Sequence, residues 1–329
     1  MTQARSQQID LSVTPYYHCI CRCVRRAFLC GRDHFSGKDY EHRKAWVTER
    51  LQLLVKVFAM DLCAYAVMSN HYHLVMRVDV AKAECWTDMQ VIRRWQLLFS
   101  LPPLVQSYSK SQTKTAAETQ AAQAIIETWR QRLKDISWFM RNLNEHLARK
   151  ANQEDQCKGR FWEGRFKSQA LLDEAAVLTC MAYVDLNPIR AGIKSTLETS
   201  DYTSIQQRIK HVQQNSSTIN ERPKLMLLVK HSQGSHETCI GYTTRDYIEL
   251  LDWSGRAILP YKRGAIPEQF PPVLARLNIN PESYLTHMQG HQKLSTPRML
   301  GHVTRLHVTL QKLPQRFIRG VNQSRMLFS

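Results

Sequence analysis

Two extended runs, DLCAYAVM (61–68) and HYHLVMRV (71–78), flank Ser69-Asn70 and constrain the fold more than any other stretch. Both are rich in strand formers, and the two-residue gap between them predicts a hairpin with a short turn. Side chains alternate across a strand, so Tyr72, Leu74, Met76 and Val78 share one face of the second run, and His71, His73, Val75 and Arg77 share the other. The apolar face is expected to enter a core. That leaves two imidazoles about 7 Å apart in Cα position on the opposite face. They can chelate one cation if a facing helix brings a third ligand. Equally, the pattern is what two ordinary polar residues on a strand look like.

Upstream, YHCICRCV (17–24) alternates and reads as a first strand, broken by RRAFLCGRD. EHRKAWVTERLQLLVKVF (41–58) places Trp46, Leu51, Leu54 and Phe58 at helical spacing. Strand, helix, strand, strand predicts an α+β fold with helices on one face of an antiparallel sheet. Between about residues 82 and 156 the strand signals vanish. Ile126, Trp129, Leu133, Ile136, Met140, Leu143 and Leu147 recur every three or four residues, which predicts a long helix or helix pair inserted after the hairpin. SLPPLVQSYSKSQTK (100–114), before it, reads as a mobile loop.

Composition narrows the partners. At 329 residues and 43% apolar, the chain is long enough for one substantial core with appendages. Lys and Arg total 45 against 28 Asp and Glu, a net charge of +17, which points to a polyanion. Charge alone does not separate DNA from RNA, or either from a membrane surface. The first residues carry no apolar signal core and no run reaches the roughly 18 apolar residues of a spanning helix, so a soluble cytoplasmic protein is expected. Nine cysteines, three of them alternating at Cys19, Cys21 and Cys23, follow no CxxC spacing. They suit neither a disulfide scaffold nor a zinc ribbon and read as small, reduced core residues.

The stretch GRFWEGRFKSQALLDEAAVLTCMAYVDLNPIRAGI (159–193) carries the most chemistry. Arg160, Arg165 and Lys167 interleave with Phe161, Trp162 and Phe166, as in a single-strand binding surface with cations for phosphates and rings for bases. The alternative is core aromatics with cations flanking them. Asp173-Glu174 then open a helix whose apolar face is Ala176, Val177, Cys180, Met181 and Val184, with Pro188 ending it and Gly192 in the turn beyond. Tyr183 and Asn187, four residues apart, project within about 40° of one another near its C-terminal end. Each has an ordinary explanation taken singly, as a core-edge tyrosine and a helix stop before proline.

Together, MSNHYHLVM and the 159–193 stretch resemble the REP-associated tyrosine transposases, bacterial relatives of the IS200-like transposases in the HUH nuclease superfamily. The resemblance runs from about Tyr16 to about Tyr202. It implies an HUH-type antiparallel sheet with a ferredoxin-like or RRM-like core. It implies that His71 and His73 hold a divalent metal, Mg2+ or Mn2+, with Asn187 as third ligand and Tyr183 as the nucleophile. It further implies single-stranded DNA, with a hairpin, as partner, in a cytoplasmic, nucleoid-associated setting. Strand cleavage would then join the tyrosine to a 5′ phosphate, free a 3′ hydroxyl and allow rejoining, in transposition or repeat-element mobilisation. Arg22, Arg25, Arg160, Phe161, Trp162, Arg165, Lys167 and Arg190 are the expected nucleic-acid contacts.

The chain departs from the family in its insertion, about 82–156, and in a C-terminal extension. These predict a catalytic domain over 1–204 and a basic, mainly helical accessory domain over 205–329, with Arg256, Lys262 and Arg263 as a second contact surface for nucleic acid. Two rival readings are a retired transposase that binds DNA without cutting it, and a metal-dependent hydrolase with water as nucleophile. The hydrolase would want a carboxylate beside the histidines, and the nearest in sequence, Asp61 and Asp79, lie at the outer ends of the hairpin.

Overall fold

The computed structural model describes residues 8–24, 28–33, 37–214, 223–228, 239–258, 270–289, 297–312 and 320–328. In chain order β1 (Tyr16–Arg22), α1 (Arg43–Val57), β2 (Met60–Val67) and β3 (His71–Val78) come first. The inserted helices α2 (Val80–Glu84), α3 (Asp88–Gln96), α4 (Pro103–Ser109), α5 (Ala116–Leu133) and α6 (Ile136–Glu154) follow, then β4 (Lys167–Leu171), α7 (Glu174–Asp185) and α8 (Asn187–Arg190). The remainder supplies α9 (Ser204–Gln214), β5 (Leu227–Leu228), β6 (Cys239–Ile240), α10 (Thr244–Ile258), α11 (Pro272–Arg276), α12 (Pro281–Gln289), β7 (Met299–Leu300), α13 (Val303–Lys312) and α14 (Val321–Leu327). Among the described residues no helix is long and apolar enough to cross a membrane.

The hairpin forms as its alternation requires: β2 and β3 pair antiparallel, with a bulge between Leu62 and Ala64. β3 then pairs antiparallel with β1, and β1 with β4, so β3 lies between β1 and β2. Among the described residues the main sheet has the order β2-β3-β1-β4-β7. The fully antiparallel expectation needs correction at its edge, because β7 pairs parallel with β4.

Alternation divides the sheet into two buried faces. Tyr17, Cys19 and Cys21 of β1 and Tyr72, Leu74 and Met76 of β3 join Leu51 and Leu54 of α1 and Phe139 and Leu143 of α6 in one core. The opposite face is covered too, which corrects the expectation of helices on one face. Val75, Ala64 and Leu171 meet Ala176, Cys180 and Met181 of α7, with residues of α9 and α10 in the same cluster. The cause lies in the sequence of α7, whose residues from Ala175 to Ala182 are all buried. A helix apolar all round needs cover on both sides, and the C-terminal helices supply the second cover.

The inserted helices extend the first core outward and are held together by aromatic stacking. The indoles of Trp95 and Trp129 lie 4.8 Å apart and nearly parallel, and Arg130 reaches from α5 to Asp88 and to the Ala83 and Trp86 carbonyls. Thr87 and Thr115 each open a helix with a reciprocal capping box, to Gln90 and Glu118. The predicted loop at 100–114 contains α4, opened by Pro102-Pro103. A proline in the first turn has no hydrogen bond to lose, so here the pair starts a helix.

Residues beyond 204 pack on the same framework. Asp185, wholly buried at the end of α7, accepts hydrogen bonds from Ser204 Oγ, the Ile205 amide and the Tyr247 hydroxyl. The division expected at 204/205 therefore falls inside a packed polar hub. Burial, opposed by these hydrogen bonds, raises the Asp185 carboxyl to about 6. Asp173 caps the other end of α7 through the Ala176 amide and also accepts the His302 amide at 2.6 Å. A side chain at Gly301 would meet Asp173 Oδ2 and Leu172 Cβ at 2.8 Å, so only glycine permits this approach. Both ends of α7 are thus tied down by residues distant in sequence.

Candidate active site

Strand register decides which side chains share the face of the two histidines. Ile20 stands opposite His73 and Arg22 opposite His71; on the other side of β1, Lys167 stands opposite Ile20 and Gln169 opposite His18. His18, Arg22, His71, His73, Lys167 and Gln169 therefore look to one side. α7 crosses this face and delivers Tyr183 from its last turn. Leu186 keeps a right-handed helical conformation, its amide bonding to the Ala182 carbonyl and the Arg190 amide to the Leu186 carbonyl. The one-turn spacing of Tyr183 and Asn187 survives the missing N–H of Pro188, although the two residues belong to successive helices, α7 and α8.

His71, His73, Tyr183 and Asn187 line a single open cleft of about 630 Å³. The rings of His71 and His73 are 4.8 Å apart, and the His73 and Tyr183 rings 6.1 Å apart at 75°. Asn187 Nδ2 lies 3.0 Å from His73 Nε2. Among the described residues, four cations, Arg22, Arg165, Lys167 and Arg190, line the same cleft with one acid, Glu163. Such an excess of positive charge draws in a polyanion and lowers the cost of holding a phosphate there. The Arg190 guanidinium lies over the Tyr183 ring at 4.1 Å, and its buried Nε has no hydrogen-bond partner among the described residues.

The donor set suits a divalent cation. Burial, helped by the neighbouring Arg22 charge, lowers the His71 pKa to about 4. Burial also holds His73 well below the usual histidine range, reinforced by His18, His71 and Arg190. Both imidazoles are therefore neutral near pH 7, the form that ligates metals. His71 Nδ1 is 2.7 Å from Asn70 Oδ1, which leaves the Nε2 lone pair free of that contact. The Asn187 amide faces His73 with its nitrogen, and a half-turn about its last bond would present oxygen instead.

Not every expected contact reaches the cleft. Phe161, Trp162 and Phe166 are buried at 5%, 9% and 9% exposure, which corrects the expectation that Phe161 and Trp162 form a platform for bases. The Trp162 indole donates to the Asn144 carbonyl of α6 and packs edge-on against Tyr72, so the insertion has taken these rings into the core. Arg160 is exposed but does not line the cleft, and Arg25, like Lys262 and Arg263, lies outside the described residues. Arg256 sits in α10, paired with Asp252. Asp61 and Asp79 are occupied by Arg77.

Three residues arrive that the motifs did not point to. His18 stacks on His73 with ring centres 5.1 Å apart; the HCI alternation of β1 was its only signal. His287 of α12 lies 5.6 Å from the Tyr183 ring, on a segment with no motif, and its pKa falls to about 4 through burial and the nearby Arg190. Glu163 lines the cleft, which Asp61 and Asp79 do not.

No family model matches the chain, and no curated protein matches it. Among solved structures, a REP-associated tyrosine transposase bound to a REP hairpin is similar. It is 11% identical, with a TM-score of 0.37, over 64% of this chain and 87% of that one.

Proposed function

We propose that this protein cleaves and rejoins single-stranded DNA through a covalent tyrosine intermediate, as an HUH-type tyrosine transposase. The observation that carries it is the convergence of His71, His73, Asn187 and Tyr183 in one cleft lined by Arg22, Arg165, Lys167 and Arg190. The order β2-β3-β1-β4, with β3 between β1 and β2, is also what a ferredoxin-like core requires, and α7 brings the tyrosine onto the histidine face.

His71, His73 and, with its amide turned, Asn187 would hold Mg2+ or Mn2+; two imidazoles favour Mn2+ over Mg2+. A bound cation supplies Lewis-acid polarisation of the scissile phosphate. Arg22, Lys167, Arg165 and Arg190 draw the backbone of the strand into the cleft and balance its charge. The Tyr183 oxygen attacks phosphorus as the bond from phosphorus to the 3′ oxygen breaks. A 5′-phosphotyrosine forms, and the phenolic proton is made up on the departing 3′ hydroxyl. One diester replaces another, so the reverse reaction rejoins the strand without an energy source. Arg190 over one side of the phenol and His287 near it restrict the ring to a narrow range of positions, which favours in-line attack.

Glu163 favours a second reading, in which it acts as general base to a water in a metal-dependent hydrolase. One experiment separates the two. Purified protein is incubated with Mn2+ or Mg2+ and labelled single-stranded hairpin oligonucleotides from the DNA flanking its gene, then run on a denaturing gel. A heat- and detergent-resistant protein–DNA band, absent in Tyr183→Phe and His71→Ala, is expected. Metal-dependent cutting without an adduct would replace this proposal with the hydrolase, and binding without cutting would replace it with a DNA-binding regulator.

A further inference from the structure

His18 Nε2 lies 2.9 Å from His73 Nδ1, and His18 Nδ1 lies 3.3 Å from Gln169 Oε1; all three side chains are buried. The far end of this chain fixes the direction of every bond in it. Gln169 Nε2 is 2.9 Å from the Pro297 carbonyl oxygen, which can only accept, so the amide nitrogen faces Pro297 and the amide oxygen faces His18. That oxygen also only accepts, so His18 Nδ1 carries the proton. His18 is buried, and its partners Gln169 and His73 offer no carboxylate to balance an imidazolium, so the ring is neutral and its Nε2 keeps a lone pair. His73 Nδ1 must then be the N–H that donates to it. The neutral His73 ring is left with its lone pair on Nε2, the nitrogen that faces Asn187. The opposite arrangement would set a lone pair on His18 Nδ1 against the Gln169 oxygen.

We propose that His18 and Gln169 are positioning residues that lock His73 in its Nδ1–H tautomer and keep its Nε2 lone pair turned toward Asn187 and the cleft. A free imidazole samples both N–H forms, and only one of them can ligate through Nε2. The use of that lone pair for a cation rests on the function proposed above, whereas the tautomer belongs to the metal-free protein. Pro297 lies just before β7, so a segment remote in sequence sets the state of a β3 side chain. Without metal, the Asn187 amide N–H donates into the lone pair; it must turn before its oxygen can serve as a ligand.

The test uses full-length protein labelled with 15N in histidine, with His73→Gln to assign the His73 signals. Metal-free wild type is expected to show His73 with a protonated Nδ1 and a bare Nε2. In His18→Leu the proton should move to Nε2 or distribute over both nitrogens. Calorimetric Mn2+ affinity should fall by about 10–100-fold. His18→Gln, whose Oε1 reaches close to the position of the lost Nε2, should restore both. If His18→Leu does not fold, Gln169→Met leaves both imidazoles in place and is read in the same way. Wild-type His73 protonated at Nε2, or a folded His18→Leu with the tautomer unchanged, overturns the lock. Wild type that binds no Mn2+ contradicts the metal reading instead, and the 15N signals still decide the lock.

Discussion

The two faces of β3 come from one eight-residue run yet do opposite work. Tyr72, Leu74 and Met76 enter a core under α1 and α6, each 1% exposed or less. On the other face Val75 is equally buried under α7, but His73 and His71, toward the hairpin turn, open onto a cleft edged with cations. The difference teaches how a small sheet can leave polar groups on an open cleft without giving up its packing. Period-2 alternation assigns every second residue to packing, and the helix on the site face covers only part of it. Burial on that face also keeps both imidazoles neutral.

Substitutions on the two faces should therefore fail in different ways. The largest effect is expected at Tyr183→Phe, which leaves the ring in place under Arg190 but removes the oxygen proposed to attack. Adduct formation on a denaturing gel should fall at least about 10³-fold, with folding unchanged. Next comes Leu74→Ala on the core face. Chemical denaturation should show a loss of about 2–5 kcal/mol, while the fraction that remains folded still forms adduct. Asn187→Ala should cost about 10–100-fold in Mn2+ affinity measured by calorimetry, with little change in melting temperature. The smallest effect is expected at Lys167→Ala, at the exposed start of β4. It should weaken single-strand binding about evenly across sequences and reduce the slope of log affinity against log salt by about one.

Legibility in the sequence followed the range of the interactions. The hairpin, the shared face of His71 and His73, the helical insertion and the one-turn spacing of Tyr183 and Asn187 rest on local periodicity, and local periodicity is written in the chain. Register between strands is not. His18 meets His73 only because Ile20 stands opposite His73, an offset no single strand encodes. β4 escaped notice because KSQAL is too short to show alternation. The burial of Trp162 depends on the Asn144 carbonyl of an inserted helix, and the approach of His287 to Tyr183 depends on how α12 packs. The cover on the second face was half visible, since α7 is apolar all round and such a helix requires a second layer.

The most direct measurement pairs two adjacent residues, His73→Ala and Leu74→Ala, and records for each both Mn2+ binding by calorimetry and thermal unfolding. The expected result is a crossed pattern: His73→Ala loses the cation with the smaller loss of melting temperature, and Leu74→Ala loses melting temperature yet binds Mn2+ as wild type does when folded. If His73→Ala binds Mn2+ unchanged, or if both substitutions weaken binding and stability in parallel, the division of β3 into a packing face and a chemical face is wrong.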